Sequence, residues 1–400
     1  MKITEVRCHV LLDPGFEAGA TSSAQDDIVV ELVTDEGLSG IGESDVNAWM
    51  ARACIEALGT HTMDMGLAAS LIGVDPTEDA ETLWDRLYVG TAMNGRRGAL
   101  IHALGAVDIA LWDLRGKIAG VPTWQLLGQR ADEMAQPYAS LLPHERTFDE
   151  LLASYIDQTR QAKSLGFRAA KLELLICGPY ASMGLDESDE RMLEIITAVR
   201  HEVGREFFLM VDVGYMWDSA IRARQVLETW VDQDIYFVET PLRSDDVDGY
   251  AELARTSPIP IAAGEWLATR FEFRELVEKG CLQILQPDVG RVGGLTEARR
   301  VCELGSRNGL RIVPHAWKTG ITVAATAHLA MVTPNMPFIE CVPKEMAESA
   351  LRRQLLSIEP EIVNGRVVLS DMPGLGVKLD DDARERFESA AQRAVEARGY

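Results

Sequence analysis

The sequence predicts an α/β fold, a (β/α)8-type (modified TIM) barrel with an α+β capping domain at its N-terminus. Two observations carry this. From near residue 136, eight short apolar runs alternate with amphipathic helical stretches at roughly 25–35 residue spacing, the pitch of βα units in a parallel barrel. The chain before that point has another rhythm, a β-meander followed by helices, so a separate layer of structure precedes the barrel.

The meander is DIVVELVTDEGLSGIGES, residues 27 to 44, where apolar and polar residues alternate around a turn signal at Asp35-Glu36-Gly37. Residues 48 to 129 read as helices. The clearest is GALIHALGAVDIALWDLRGKIAG, residues 98 to 120, with apolar residues at helical spacing and Gly120 and Pro122 as the stop. The eight strand candidates follow near 137–141, 169–174, 207–212, 235–239, 259–264, 282–287, 310–314 and 337–340. A doubly wound open sheet is the rival, but it would usually carry a glycine-rich phosphate turn after its first strand, and none follows residue 141. The tail, NGRVVLSDMPGLGVKLDDD, returns to short-strand and turn chemistry and is expected to rejoin the N-terminal domain. The predicted division is a capping domain over residues 1–128, completed by 360–400, and a barrel over 129–359.

The 400 residues suffice for one large domain and a smaller one, and a hydrophobic share of 47% supplies the core. Sixty-two acidic against 39 basic residues leave a net charge of -23, which repels nucleic-acid backbones and anionic membranes. An anionic substrate would therefore need a cation or a local basic group. The six cysteines form no CxxC pair, and no apolar run reaches membrane length, so we expect a cytoplasmic protein with reduced thiols.

In a barrel of this type, function sits where strands end and loops begin. There the sequence places Lys171 and Glu173 on strand 2, Asp212 on strand 3, Glu239 on strand 4, Glu265 just past strand 5 and Asp288 just past strand 6. His315 and Glu340 come from strands 7 and 8. One polar residue at a strand end means little. Seven successive strands ending this way form a pattern.

Asp212, Glu239 and Glu265 should converge on one point. Unpaired, they would repel and raise each other's pKa, and a hard divalent cation removes that conflict. All-oxygen ligation favours Mg2+ over zinc, with Mn2+ as an alternative that the sequence does not separate. Asp288 and His315 lie on neighbouring strands, where a carboxylate on one imidazole nitrogen fixes the tautomer and raises the basicity of the other, making a general base. A buried Lys171 needs an anionic partner, and Glu173 or a metal carboxylate would serve. Its functional reading is a group that faces a substrate carboxylate or exchanges protons. Trp217, Trp266 and Trp317 follow strands 3, 5 and 7 and could wall a substrate pocket or pack in the core. Loops 13–27 and 45–60 of the capping domain are expected to close the site, with Arg52 and Asp26-Asp27 as candidate specificity contacts. A metal-dependent hydrolase would need an HxH pair after strand 1, where PYASLLPHE offers only His144.

With these residues in view, the chain resembles the enolase superfamily, and within it the mandelate racemase-like subgroup of acid-sugar dehydratases. The resemblance runs nearly end to end. VELVTDEGLSGIGES resembles the capping meander, and ALGAVDIALWDLRGKIAGVPTWQLLG the helix leading to the barrel. VDVGYMW, VETPL and AAGEW resemble the three metal-ligand strands. LQPDVGRVGGLTEA and PHAWKTG resemble the strands of an Asp–His dyad, and PGLGVKLD fits the closing segment.

The resemblance implies one Mg2+ per chain, a substrate carboxylate bound to it, and a metal-stabilised enediolate. By residue, it implies Asp212, Glu239 and Glu265 as ligands and Asp288 with His315 as the base. Glu340 would be a protonated acid on the substrate carboxylate. Lys171 matches the first lysine of a Lys-x-Lys pair whose second lysine, the opposite-face base of a racemase, is Glu173 here. Gly214 stands where many members carry a polar residue. The expected chemistry is therefore dehydration of an acid sugar to a 2-keto-3-deoxy acid. His315 would take the α-proton, and either His315 or Lys171 would assist the leaving hydroxyl. Cycloisomerisation of an anhydro or lactone sugar acid and racemisation of a 2-hydroxy acid are the alternatives. The expected partner is a small carboxylate, with no nucleic acid or membrane, and the family is usually homo-oligomeric.

Overall fold

The computed structural model describes residues 1–131 and 135–398. Strands β1 (Ile3–Leu12), β2 (Asp26–Thr34) and β3 (Ser39–Ser44) form an antiparallel sheet in the order β1-β2-β3. Helix Ala99–Ala119 packs on it. This helix is buried along nearly its whole length, in keeping with its all-round apolar sequence, and ends on the left-handed Gly120. Its Gly105 lies against the loop after the sixth barrel strand, where a Cβ would stand 1.9 Å from the Gly290 carbonyl oxygen. The missing side chain thus lets the cap sit directly on a loop that carries site residues.

The barrel strands are β4 (Gln136–Leu141), β5 (Ala169–Glu173), β6 (Phe208–Asp212), β7 (Ile235–Glu239), β8 (Ile261–Ala263), β9 (Ile284–Leu285), β10 (Arg311–Ile312) and β11 (Phe338–Cys341). They form one parallel, nearly closed sheet in the order β10-β9-β8-β7-β6-β5-β4-β11. Between β10 and β11 the closure includes the bond from the Ile312 amide to the Asn335 carbonyl, 3.0 Å. Helices cover the outside of this sheet, so its strands are buried on both faces and read as continuous apolar runs rather than alternating ones.

The barrel interior shows how the site is raised. Tyr138, Ala169, Met210, Phe237, Ala262, Ile284, Val313 and Phe338, one per strand or strand end, form an apolar floor. Strand side chains two residues apart share a face. The next inward layer therefore holds Ser140, Lys171, Asp212, Glu239 and Glu340, and the floor of apolar groups gives way in one step to a layer of polar ones.

After β11 the chain forms β12 (Leu356–Ile358), the hairpin β13 (Glu361–Val363) with β14 (Arg366–Val368), and β15 (Lys378–Leu379), which pairs with β12. The hairpin turns on Asn364-Gly365, both at positive φ, as a two-residue primed turn requires. Helix Asp381–Arg398 then returns to β1, where His9 Nδ1 meets Glu388 Oε1 at 2.6 Å. Among the described residues, no helix is long and apolar enough to cross a membrane.

One expectation is corrected here. Residues 45–60 are not a loop throughout, because Ala48–Glu56 is a helix. The Asn47 side chain accepts from the Met50 amide at 3.2 Å, an N-cap, and Ala48, Ala51 and Ile55 face the core.

Candidate active site

Eight predicted site residues meet at the C-terminal ends of the barrel strands. Asp212 and Glu239 are the last residues of β6 and β7 and stand opposite each other in register. Glu265 follows β8, Asp288 and His315 lie three residues past β9 and β10, and Glu340 is in β11. Lys171 and Glu173 belong to β5. All eight are buried.

Lys171 is the hub of one half. Its Nζ lies 2.8 Å from Glu340 Oε1, 2.9 Å from Glu239 Oε1, 3.3 Å from Glu173 Oε1 and 3.9 Å from Asp212 Oδ2. Burial works against its charge, but Glu173, Glu239 and Glu340 outweigh it and hold the ammonium well above its ordinary pKa. Glu173 also accepts from Ser140 Oγ at 2.8 Å. Burial pushes its pKa up, Lys171 pulls it down, and the neighbouring Asp212 pushes it up again, leaving it well raised.

The other half is the base. His315 Nδ1 donates to Asp288 Oδ2 at 2.6 Å, which leaves Nε2 as the free nitrogen, 3.1 Å from Glu265 Oε2. Burial lowers the imidazole pKa and Arg291 opposes its charge. Glu340, Glu265 and the Asp288 bond prevail, and it rises to about 9. The second Asp288 oxygen accepts from the Arg291 amide at 2.8 Å.

Asp212, Glu239 and Glu265 are the last polar groups of neighbouring strands, and Glu239 and Glu265 are each bound by groups of the protein. Glu239 is bound by Lys171 and by Gln286 Nε2 at 2.6 Å. Glu265 faces His315, Arg291 and the Tyr215 hydroxyl, the last at 2.6 Å. Among the described residues, the acidic and histidine trio with atoms within 4.8 Å of one another is Asp45, Asp288 and His315. That trio does not suit a cation, since Asp45 is paired with both Arg291 and Lys318 and Asp288 is occupied by His315.

The donor chemistry of Asp212, Glu239 and Glu265 does fit a hard divalent ion. All three offer only oxygen. Burial raises Glu239, Lys171 opposes this, and Asp212, Glu340 and Glu265 raise it further, to about 8. That is the repulsion a cation would relieve.

For Glu340, expected as a protonated acid on the substrate carboxylate, burial raises the pKa, but Lys171 and His315 outweigh burial and lower it to about 2. Its Oε2 accepts from the Ala316 amide at 2.8 Å.

Glu173, Asp212, Glu265 and His315 line a cavity of about 170 Å³. Trp266 and Trp317 line it too, and the Trp317 indole N–H donates to Ser22 Oγ at 3.2 Å. Trp217 does not. It is buried in the core, its indole N–H donating to Asp189 Oδ2 at 2.8 Å and its ring tilted against Trp230. Arg52 is also corrected. It is exposed and pairs with Glu56 one turn away, because it lies on the outer face of helix Ala48–Glu56. Asp26 accepts from the Ala48 amide at 2.8 Å, and the buried Asp27 accepts from the Ile28 amide at 2.8 Å; neither lines this cavity.

Sequence reasoning missed several groups. Arg291 reaches Glu265, the backbone of Asp45 and the Asp45 carboxylate, tying the base loop to the cap. Lys318 donates to the backbone oxygens of Ser23 and Asp26 and pairs with Asp45 at 3.2 Å, pinning the loop between β1 and β2 over the cavity. That loop contributes Thr21, Ser22 and Ser23 to the cavity. A signal existed for Arg291, a lone cation inside LQPDVGRVGG. None existed for its distance to Asp45, 246 residues away.

Two family models match this chain. "Mandelate racemase / muconate lactonizing enzyme, N-terminal domain" covers residues 2–128, and "Enolase C-terminal domain-like" covers 154–383. The chain is 31% identical to D-galactarolactone cycloisomerase of Agrobacterium fabrum over 97% of this chain and 99% of that protein. It is 30% identical to arabinonate dehydratase of Saccharolobus solfataricus over 90% of each. A crystal structure of a racemase from Streptomyces coelicolor with bound magnesium superposes with a TM-score of 0.80 at 26% identity, covering 96% of this chain and 99% of that one.

Proposed function

Because the chain belongs to the mandelate racemase and muconate lactonizing enzyme family, we propose that it abstracts the proton α to a carboxylate of an acid sugar and expels the β-oxygen, acting as a Mg2+-dependent sugar-acid dehydratase. The observation that carries this is the asymmetry of the two halves. One side of the cavity holds an Asp288–His315 dyad with a free Nε2. Glu173, in place of a second lysine, also lines the cavity and pairs at 3.3 Å with Lys171, whose ammonium is surrounded by four carboxylates.

Asp212, Glu239 and Glu265 would hold the ion. When bound, it supplies positive charge to the substrate carboxylate as that group gains electron density. His315 Nε2 takes the α-proton. The electron pair of the broken Cα–H bond forms Cα=Cβ as the Cβ–O bond breaks, and the departing oxygen receives a proton from His315 or Lys171. The enol then ketonises to a 2-keto-3-deoxy acid. Asp288 keeps the His315 proton on Nδ1, and Arg291 fixes Asp288 through its amide. Trp317 and the Thr21–Ser23 segment restrict water. The cavity suits a small acid, being below the roughly 300–1,000 Å³ of sites for drug-sized ligands.

A second reading keeps the same proton abstraction but expels a ring oxygen that stays attached to the product. It is supported by the 31% identity to a cycloisomerase over 97% of the chain. Racemisation has less support, because it needs a base on each face and Lys171 is bound as a cation. Product mass decides among them. A dehydratase product is lighter than its substrate by one water, whereas unchanged mass would overturn dehydration and point to isomerisation. Treatment with EDTA should abolish turnover and Mg2+ should restore it. Full activity of metal-stripped enzyme would sink the assignment of Asp212, Glu239 and Glu265.

A further inference from the structure

Resting on that reading, we infer that the substrate is a monocarboxylate whose uncharged far end packs on an aromatic wall formed by Trp266, Tyr215 and Tyr180. Trp266 and Tyr180 are 43% and 44% exposed, large aromatic surfaces left open inside a cavity rather than on a convex face. The wall is built. Tyr215 stacks on Trp266 with centroids 4.1 Å apart, and Tyr180 meets both edge-on at 6.0 and 5.7 Å. Aromatic rings packed this way hold one another in place, so the open indole face is ready before any ligand arrives.

The wall is also tied to the chemistry. Trp266 follows Glu265 directly in the chain, and the Tyr215 hydroxyl donates to Glu265 Oε1 at 2.6 Å. Tyr215 stands at φ +58 after Gly214 at φ +52, two successive left-handed residues that swing the phenol under the indole. A backbone conformation this uncommon persists where its surroundings over-determine it, and it clusters at working sites. The wall therefore stands at a fixed offset from the carboxylates, where the distal carbons of a bound acid would lie.

Charge decides what those carbons carry. Among the described residues, the permanent cation lining the cavity is Arg291, engaged by Glu265 and Asp45, and beside it His315 is engaged by Glu265 and Asp288. The upper walls offer Leu142, Leu175, the aromatic rings and the cap-loop hydroxyls. A second carboxylate placed there would lose its hydration without gaining a counter-ion. Arg146 and Arg353 line a neighbouring cavity instead. A carbon–hydrogen face of a polyol meets no such penalty and covers apolar ring surface.

The test uses Mg2+-loaded enzyme and a panel of five- and six-carbon aldonic acids, each paired with its aldaric diacid, such as D-gluconate with D-glucarate and D-galactonate with D-galactarate. Exchange of the α-proton in deuterated water and product formation are followed. The expected result is a kcat/KM at least about tenfold higher for the best monoacid than for its diacid. Trp266→Ala should raise KM for that monoacid on the order of tenfold, the scale of one lost aromatic contact, with kcat within about threefold. Trp266→Phe, which keeps an aromatic face, should recover most of the affinity that Trp266→Ala loses. Because Trp266 is half exposed, both variants should fold, which circular dichroism checks. A preference for diacids would overturn the proposal and direct attention to Arg146 and Arg353. An unchanged KM in Trp266→Ala would also overturn it, while proton exchange in wild type would leave the proposed function standing. No α-proton exchange with any acid of the panel would sink the proposed function and this inference together.

Discussion

Replacing Asp288 by Asn tests the base assignment most directly, because it changes one charge and almost no volume. Asp288 is fully buried and makes two bonds, Oδ2 to His315 Nδ1 at 2.6 Å and Oδ1 to the Arg291 amide at 2.8 Å. An asparagine oxygen can keep the Arg291 bond, so the loop should hold its shape. At His315 the asparagine presents either an amide N–H, which forces the proton onto Nε2 and removes the free lone pair, or a neutral oxygen with a weaker bond. Loss of a hydrogen bond to a charged group accounts for about 1.5–3 kcal/mol, or roughly 10- to 150-fold in rate. The wrong tautomer adds to this. The same change in a Ser-His-Asp triad lowers kcat by about 10⁴. The expected fall in kcat is therefore about 10²–10⁴, with KM nearly unchanged, because the groups proposed to hold the substrate carboxylate are untouched. The assay is α-proton exchange in deuterated water by NMR, run beside thermal melts that should show a folded variant. Exchange within about threefold of wild type, from folded and metal-loaded enzyme, would refute the dyad.

Two further outcomes follow from the geometry. Trp217→Phe should lower the melting temperature, because it removes the buried bond to Asp189 and some of the packing against Trp230 at about 1–3 kcal/mol, and it should leave KM within about twofold; a selective rise in KM would put Trp217 back in the site. The link between β1 and the C-terminal helix should depend on pH through His9. Burial disfavours its charged form, but Glu31 and Glu388 outweigh burial and raise its folded pKa above 6.5. A raised folded pKa means stability fully present below the unfolded value and lost as pH rises through the folded one. The melting-temperature gap between wild type and His9→Gln should therefore be widest near pH 5.5 and shrink as pH rises toward 9, and a gap that widens would contradict the assignment.

The sequence revealed the barrel because its strands are buried on both faces. A Lys, Asp or Glu inside an apolar run is then conspicuous, and Lys171, Asp212, Glu239 and Glu340 were visible for that reason. What stayed hidden depends on direction rather than identity. Trp217 and Trp266 both follow a strand end closely, and nothing local says that one turns outward into the helix layer while the other turns over the cavity. Arg52 looked like a loop contact until Asn47 capped a helix beneath it. The ionisation of Glu340 depends on a lysine that reaches it from another strand, and the Arg291–Asp45 link spans 246 residues. These are long-range geometric facts that residue type and spacing do not encode.

The charge balance of the barrel mouth leads to the last step. Lys171, Arg291 and Lys318 are the fixed cations buried there, against Asp45, Glu173, Asp212, Glu239, Glu265, Asp288 and Glu340. Arg291 and Lys318 are largely absorbed by Asp45 and the cap loop. Lys171 alone then faces four carboxylates, so the buried acids outnumber the cations that pair with them. A divalent ion would balance this excess. With it in place, Lys171 would still be bracketed by Glu173 and Glu340. A lysine bracketed this way orients or donates a proton far more readily than it accepts one, since losing its own would leave buried carboxylates uncompensated. On the proposed reading the site has one base, His315, and one proton donor, Lys171. Elimination needs that pair, whereas inversion of configuration needs two acceptors. Replacing Glu173 with lysine, which removes one bracket and adds a second amine, is accordingly the change most apt to move this scaffold toward racemisation.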